Sequence, residues 1–199
     1  MIDLVPAARG VSMLAVGVQD RQLDAPTPCA GKTVGDLLDH FMGLAVAFRD
    51  AATKASMASG YDDQRPGPPA DTWGSGSRLD PEWRLLLPQR LDELAAAWAQ
   101  PAAWEGMARA GGVTLPANVM GMVALDELVL HGWDLSRGTD QPFSCDQATL
   151  QLVYEFVLES TKEPAAREGV FGPVVDVPED ARLLDRTLGL AGRDPDWMP

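Results

Sequence analysis

Met120-Gly-Met-Val-Ala-Leu-Asp-Glu127-Leu-Val-Leu-His131-Gly-Trp133 is the stretch on which the fold turns. It lies in the most apolar segment of the chain, from Pro116 to about Arg137, and its apolar residues predict one long helix. A helix this apolar belongs inside a bundle, yet it carries a carboxylate and an imidazole four residues apart. Four residues is slightly more than one turn, so Glu127 and His131 project from nearly the same face, and Asp134 follows on that stripe one turn later. Pro116 suits the first helical position, and Gly138 is placed to end the helix in a left-handed conformation.

Upstream, Gly111-Gly112 reads as a tight turn between short extended pieces, a small hairpin within Ala103–Leu115 that precedes this helix. A further helix is expected from near Pro81 to Ala99, with Leu85, Leu86, Leu91, Leu94, Ala95 and Trp98 apolar and Pro88 kinking or restarting it. Between about Gly60 and Asp80 the chain is rich in Gly, Pro, Asp and Ser. That predicts a long crossover loop without helix or strand, the kind that lets consecutive helices of a bundle run parallel. Earlier still, Thr33-Val-Gly-Asp36 has capping-box spacing and opens a helix whose stripe is Val34, Leu37, Leu38, Phe41, Leu44, Ala45 and Phe48. His40 sits at the edge of that stripe. The first segment, roughly Asp3 to Gln19, has amphipathic helical spacing as well.

Downstream, Ser144-x-x-Gln147 opens a helix through Leu158, Gly169 to Pro178 looks extended or irregular, and a last helix is expected near Glu179 to Leu190. The sum is an all-α four-helix bundle with long crossover loops, a small hairpin before the fourth helix and a C-terminal helical extension. One domain over 1–199 suffices, its core about 1–138 and its elaboration about 139–199.

Composition narrows the function. With 199 residues and 46% hydrophobic content the chain can bury a sizeable core. A net charge of -13 and a pI near 4.4 give no footprint for nucleic acid or an anionic membrane surface. No apolar run reaches the roughly 20 residues a bilayer span needs, and the first residues lack the basic flank and apolar stretch of a secretion signal. The expectation is a soluble cytoplasmic protein, with a homodimer compatible with it. Cys29 and Cys145 form no CxxC pair, so reduced thiols are expected. Cys29 lies just ahead of a helix, where a thiol is either activated by the helix N-terminus or simply buried under a loop.

The chain has only two histidines, His40 and His131. If His40 faces Glu127 and His131 from a second helix, the three make a two-histidine, one-carboxylate site with open positions, suited to zinc or another divalent metal. Asp134 would then orient a metal-bound histidine through its other ring nitrogen, and Trp133 with the Gly60–Asp80 loop would wall the pocket. A buried Glu127 needs a proton or a cation, and no Lys or Arg lies within a turn of it on that helix. Spacing alone leaves a second reading open, in which Glu127 and His131 pair with each other along a partly exposed face.

Pro26-Thr-Pro-Cys-Ala-Gly-Lys-Thr-Val-Gly-Asp-Leu-Leu-Asp-His40 and Glu127-Leu-Val-Leu-His-Gly-Trp-Asp-Leu135 resemble the metal-binding domain of mycothiol-dependent maleylpyruvate isomerases, within the DinB/YfiT-like superfamily. Phe171-Gly-Pro-Val-Val-Asp-Val-Pro and Gly192-Arg-Asp-Pro-Asp-Trp197 look like the endings of a short actinobacterial branch of that family. The resemblance implies a DinB-like bundle holding a divalent metal, usually zinc, through His40, Glu127 and His131, with mycothiol as cosubstrate. Lys32 departs from it, standing where the family usually has Trp. The isomerases also carry a separate C-terminal domain that contributes to catalysis, so maleylpyruvate isomerisation is not the expected reaction. The expected partners are a small-molecule thiol and an electrophilic substrate. A metal-dependent hydrolase and a non-catalytic metal- or small-molecule-binding protein are the alternatives.

Overall fold

The computed structural model describes residues 1–58, 74–162, 167 and 169–199. In chain order its helices are α1 (Val5–Gly17), α2 (Val34–Ala52), the single-turn α3 (Ala55–Ala58), α4 (Trp83–Trp98), α5 (Ala117–Gly138), α6 (Gln147–Ser160) and α7 (Leu183–Leu190). A hairpin of β1 (Met107–Ala110) and β2 (Val113–Pro116) stands between α4 and α5. This is a mostly helical, DinB-like bundle with a C-terminal helical extension.

Four helices form the core, and the bonds between them give their directions. Trp98 Nε1 donates to the Phe48 carbonyl at 3.0 Å and Arg90 to the Met42 carbonyl at 3.1 Å, so α2 and α4 advance together and run parallel. Arg84, at the start of α4, reaches the Val18 carbonyl just past the end of α1, so those two are antiparallel. Val34 packs against Gly138 while His40 meets Glu127, which makes α2 and α5 antiparallel. Going round the bundle, α1 packs on α4 and α5, and α2 packs on the same two. A parallel α2–α4 pair needs a long crossover, as expected from the composition of residues 60–80; most of that segment, 59–73, lies outside the described residues.

Apolar periodicity drives the packing. Leu37, Leu38, Phe41 and Ala45 of α2, Leu87, Leu91, Leu94 and Trp98 of α4, and Ala124, Leu125, Leu128 and Leu135 of α5 are all buried in one cluster. The α2 N-terminus is set by the predicted capping box: Thr33 Oγ1 accepts from the Asp36 N–H at 3.2 Å, and Asp36 Oδ2 accepts from the Thr33 N–H at 2.9 Å. The other oxygen of Asp36 accepts from the Gly76 N–H at 2.8 Å, which ties the end of the crossover to α2. Thr33→Ala is expected to cost about 1 kcal/mol, read as a thermal midpoint lower by about 2–4 °C. Burial alone would raise the pKa of Asp36, but the bonds from Thr33 and Gly76 hold it below its ordinary value. Its contribution is therefore present above the ordinary carboxylate range and lost as pH falls through the depressed value. Asp36→Asn should flatten that acid limb.

In the hairpin, Met107 pairs with Pro116 and Ala110 with Val113. Gly111 and Gly112 both take positive φ, 57° and 81°, the backbone of the two-residue turn whose twist matches its strands.

Several sequence expectations are corrected. Pro88 does not restart its helix: α4 is continuous from Trp83 to Trp98, held by Leu87 and Leu91, which are fully buried on either side of it. Leu85 faces out, 70% exposed, because the buried phase of α4 is set by Leu87, Leu91, Leu94 and Trp98. Pro116 ends β2 as the residue before α5 rather than opening the helix. The helix runs through Gly138, and the left-handed residue is Asp140. A side chain at Gly138 would stand 3.0 Å from the Pro26 carbonyl and the Thr27 methyl, so close packing explains that glycine. Asp146, not Ser144, caps α6, accepting from the Thr149 N–H at 2.9 Å. The last helix begins at Leu183, and Gly76–Arg78 forms a single 3-10 turn inside the expected loop.

Candidate metal centre

Helices α2 and α5 bring His40, Glu127 and His131 together. His40 Nε2 and His131 Nε2 each lie 3.2 Å from the same oxygen, Glu127 Oε2. The two imidazoles meet edge to face with centroids 5.0 Å apart. One ligand atom from each of the three residues falls within 4.8 Å of the others. Two of these separations, at 3.2 Å, are close to the roughly 3.4 Å edge of a tetrahedron built on metal–ligand bonds of about 2.1 Å, so the donors fit a divalent ion in type and spacing. Cys29, His131 and Asp134 form a second grouping of this kind that shares His131.

Asp134 stands behind the triad. Its Oδ2 lies 2.8 Å from His131 Nδ1 and the residue is wholly buried. An ionised carboxylate only accepts, so His131 Nδ1 carries a proton toward Asp134, and Nε2 is the nitrogen that would ligate an ion after giving up its own. Arg193 reaches the same carboxylate from beyond α7: Nη2 donates to Oδ2 at 3.0 Å and Nε to Oδ1 at 3.4 Å. Burial alone would raise Asp134, but Arg193 and His131 hold it below its ordinary value.

Electrostatics follow from these contacts. Burial opposes a charged His131, yet its bonds to Asp134 and Glu127 prevail and lift it to about 9. Burial likewise works against the Glu127 anion, and the two imidazoles outweigh it and hold the carboxylate far below its ordinary value. Neighbouring Asp126 points away from this help. Its Oδ1 is buried without a hydrogen-bond partner among the described residues, and burial next to Glu127 pushes it up to about 8. The Cys29 thiol is raised to about 11 by burial and by Asp134, which favours the buried-residue reading over activation by the α2 N-terminus.

A cavity of about 800 Å³ opens on His40 and Glu127. Met42, Leu44 and Phe48 of α2, Leu115 of the hairpin, and Met120 and Val123 of α5 give it apolar walls, while Asp39, Arg78, Asp80 and Arg90 add charge. The end of the predicted crossover, from Gly74 to Asp80, does wall the pocket. Trp133 does not: it is 4% exposed and packs in the core, because it lies off the stripe shared by Glu127 and His131. Gly74 presses on the ligand helix itself. A side-chain carbon there would stand 2.0 Å from the Asp36 carbonyl and 2.4 Å from the His40 backbone nitrogen, so only glycine allows this wall to lie against α2 at His40.

The structure brings together four of the residues singled out in the sequence: His40, Glu127, His131 and Asp134. Arg193 was missed. It lies 59 residues from Asp134, in Gly192-Arg-Asp-Pro-Asp-Trp197, and no spacing rule links an arginine at that distance to a helix face.

A DinB-like bundle with two histidines and a carboxylate converging between its second and fourth core helices defines a protein class with a candidate metal-binding cluster. The chain belongs to the mycothiol maleylpyruvate isomerase N-terminal domain family, which it matches over residues 4–136. No curated protein and no solved structure matches it. Among the described residues, no helix is long and apolar enough to cross a membrane.

Proposed function

We propose that the protein is a divalent-metal-dependent enzyme, with zinc the expected ion. It would use a low-molecular-weight thiol of the mycothiol type as nucleophile in transfer to, or isomerisation of, a small electrophile. The observation that carries this is the convergence of His40, Glu127 and His131, of which His40 and Glu127 line a cavity large enough for a thiol and a second small molecule. A bound divalent ion supplies positive charge that lowers the pKa of a thiol beside it.

The chain's own residues supply the remainder. His40, Glu127 and His131 would hold a divalent ion as two neutral imidazoles and one carboxylate, leaving net positive charge, and Asp134 would keep His131 in the ligating tautomer. Apolar walls at Met42, Phe48 and Met120 keep water from a bound electrophile. Neither cysteine of the chain suits the nucleophile: both thiols are pushed up to about 11, and Cys145 lines a different groove, between α1 and the start of α6. In this reading the thiol is supplied from outside the chain. Asp134, the carboxylate a hydrolase would need as general base, is buried and committed to His131 and Arg193, which disfavours water activation.

Titrating a small thiol such as N-acetylcysteine into the cobalt-substituted protein should produce a thiolate-to-metal charge-transfer band. A site that shows only hydroxide-like pH behaviour, or one already saturated by protein ligands, would overturn the thiol assignment.

A further inference from the structure

We infer that Arg193, delivered by the C-terminal elaboration, is a positioning residue of the metal centre: it grips both oxygens of Asp134 and so fixes the carboxylate that orients His131. This rests on the metal role proposed for His40, Glu127 and His131. Asp134 Oδ2 is shared, accepting from His131 Nδ1 at 2.8 Å and from Arg193 Nη2 at 3.0 Å, while Arg193 Nε approaches Oδ1 at 3.4 Å. A carboxylate bound by one oxygen to one histidine can still rotate about its own axis. Gripped side-on by a guanidinium, it cannot, and the imidazole plane is held with it.

Arg193 is itself fixed. Nη1 donates to the Ala191 carbonyl at 3.0 Å, and the side chain is only 10% exposed. Gly192 takes φ 81° and packs on Gly172, where an added side-chain carbon would meet backbone at 2.7 Å. The turn that aims Arg193 is therefore seated against the preceding segment of the same elaboration. That elaboration also reaches the opposite side of the centre, where Gly169 and Val170 line the cavity. It touches the site from behind through Arg193 and from the front through Val170.

The test compares zinc affinity and the cobalt absorption spectrum in wild type, Arg193→Gln and Arg193→Lys. Arg186→Gln serves as control, since Arg186 bonds Tyr154 within the same elaboration and has no link to Asp134. Arg193→Gln is expected to bind zinc about 10-fold more weakly and to shift the cobalt bands. Arg193→Lys keeps the buried charge neutralised, and so the fold, but cannot hold both oxygens; about 3-fold weaker binding is expected. Arg186→Gln should match wild type. Wild-type affinity and spectrum in Arg193→Gln, equal losses in Arg193→Gln and Arg186→Gln, or, should Arg193→Gln fail to fold, wild-type affinity in Arg193→Lys would each overturn the inference. If wild type itself takes up no metal, the metal assignment fails separately. Ring-nitrogen NMR of the metal-free protein then decides the positional role: the His131 signals should move in Arg193→Lys and those of His40 should not, and unmoved His131 signals would overturn it.

Discussion

Replacing His131 with alanine is expected to strip the protein of its metal. Elemental analysis after purification without chelators should find close to one divalent ion per chain in wild type, and affinity should fall by more than about 100-fold in His131→Ala and Glu127→Ala. Both side chains touch the point where the donors converge, and the chain offers no third imidazole to replace either histidine. Loading should also depend on pH in a definite direction. In the metal-free protein His131 keeps its proton up to about 9 because Asp134 and Glu127 outweigh the effect of burial, so at neutral pH an incoming ion must displace that proton. Affinity therefore rises with pH until about 9, and calorimetry in buffers of different ionisation enthalpy should find about one proton released per ion near pH 7. A wild-type protein that is metal-free and cannot be loaded would remove the basis of the proposed function.

The largest loss of stability is expected from Trp98→Ala. Trp98 is fully buried, donates its indole N–H to the Phe48 carbonyl, and lies edge to face with Trp104 at 5.0 Å. Removing it leaves a cavity between α2 and α4 and takes away one hydrogen bond linking the two helices, for a combined cost of about 3–5 kcal/mol. Domains are typically stable by only about 5–15 kcal/mol, so the variant should melt roughly 10 °C lower and unfold at distinctly less urea. Trp98→Phe retains most of the packing without the donor and should lose less than half as much. A loss below about 1 kcal/mol in Trp98→Ala would contradict the parallel packing of α2 on α4.

The bundle was legible because its helices announce themselves locally. Apolar spacing, the Thr33–Asp36 box and the Gly111-Gly112 turn act over a few residues, and each formed as expected. The half-site on α5 was legible for the same reason, since Glu127 and His131 are one turn apart. That His40 joins them follows from helix packing, which spacing along the chain does not encode; the resemblance of the motifs supplied it. What stayed hidden depends on contacts between distant segments. The buried phase of α4 is chosen by its partners, which turn Leu87 inward and Leu85 outward. Gly138 read as a helix stop because nothing local reveals that Pro26 and Thr27 press against it. Arg193 looked like one of several tail charges until Asp134 was seen to be its partner.

The candidate centre draws on contacts of very different span along the chain. The hairpin closes over two residues, whereas His40 and Glu127 are 87 residues apart and Asp134 and Arg193 are 59 apart. Local elements form within microseconds, while contacts of long separation wait until several helices have docked and the entropy of closing the intervening loops has been overcome. The three donors therefore come within reach of one another only in the nearly native chain. An ion bound by them favours the folded state over every earlier one, by about 2.7 kcal/mol when free metal is a hundredfold above its dissociation constant. In that sense the centre records the completion of folding.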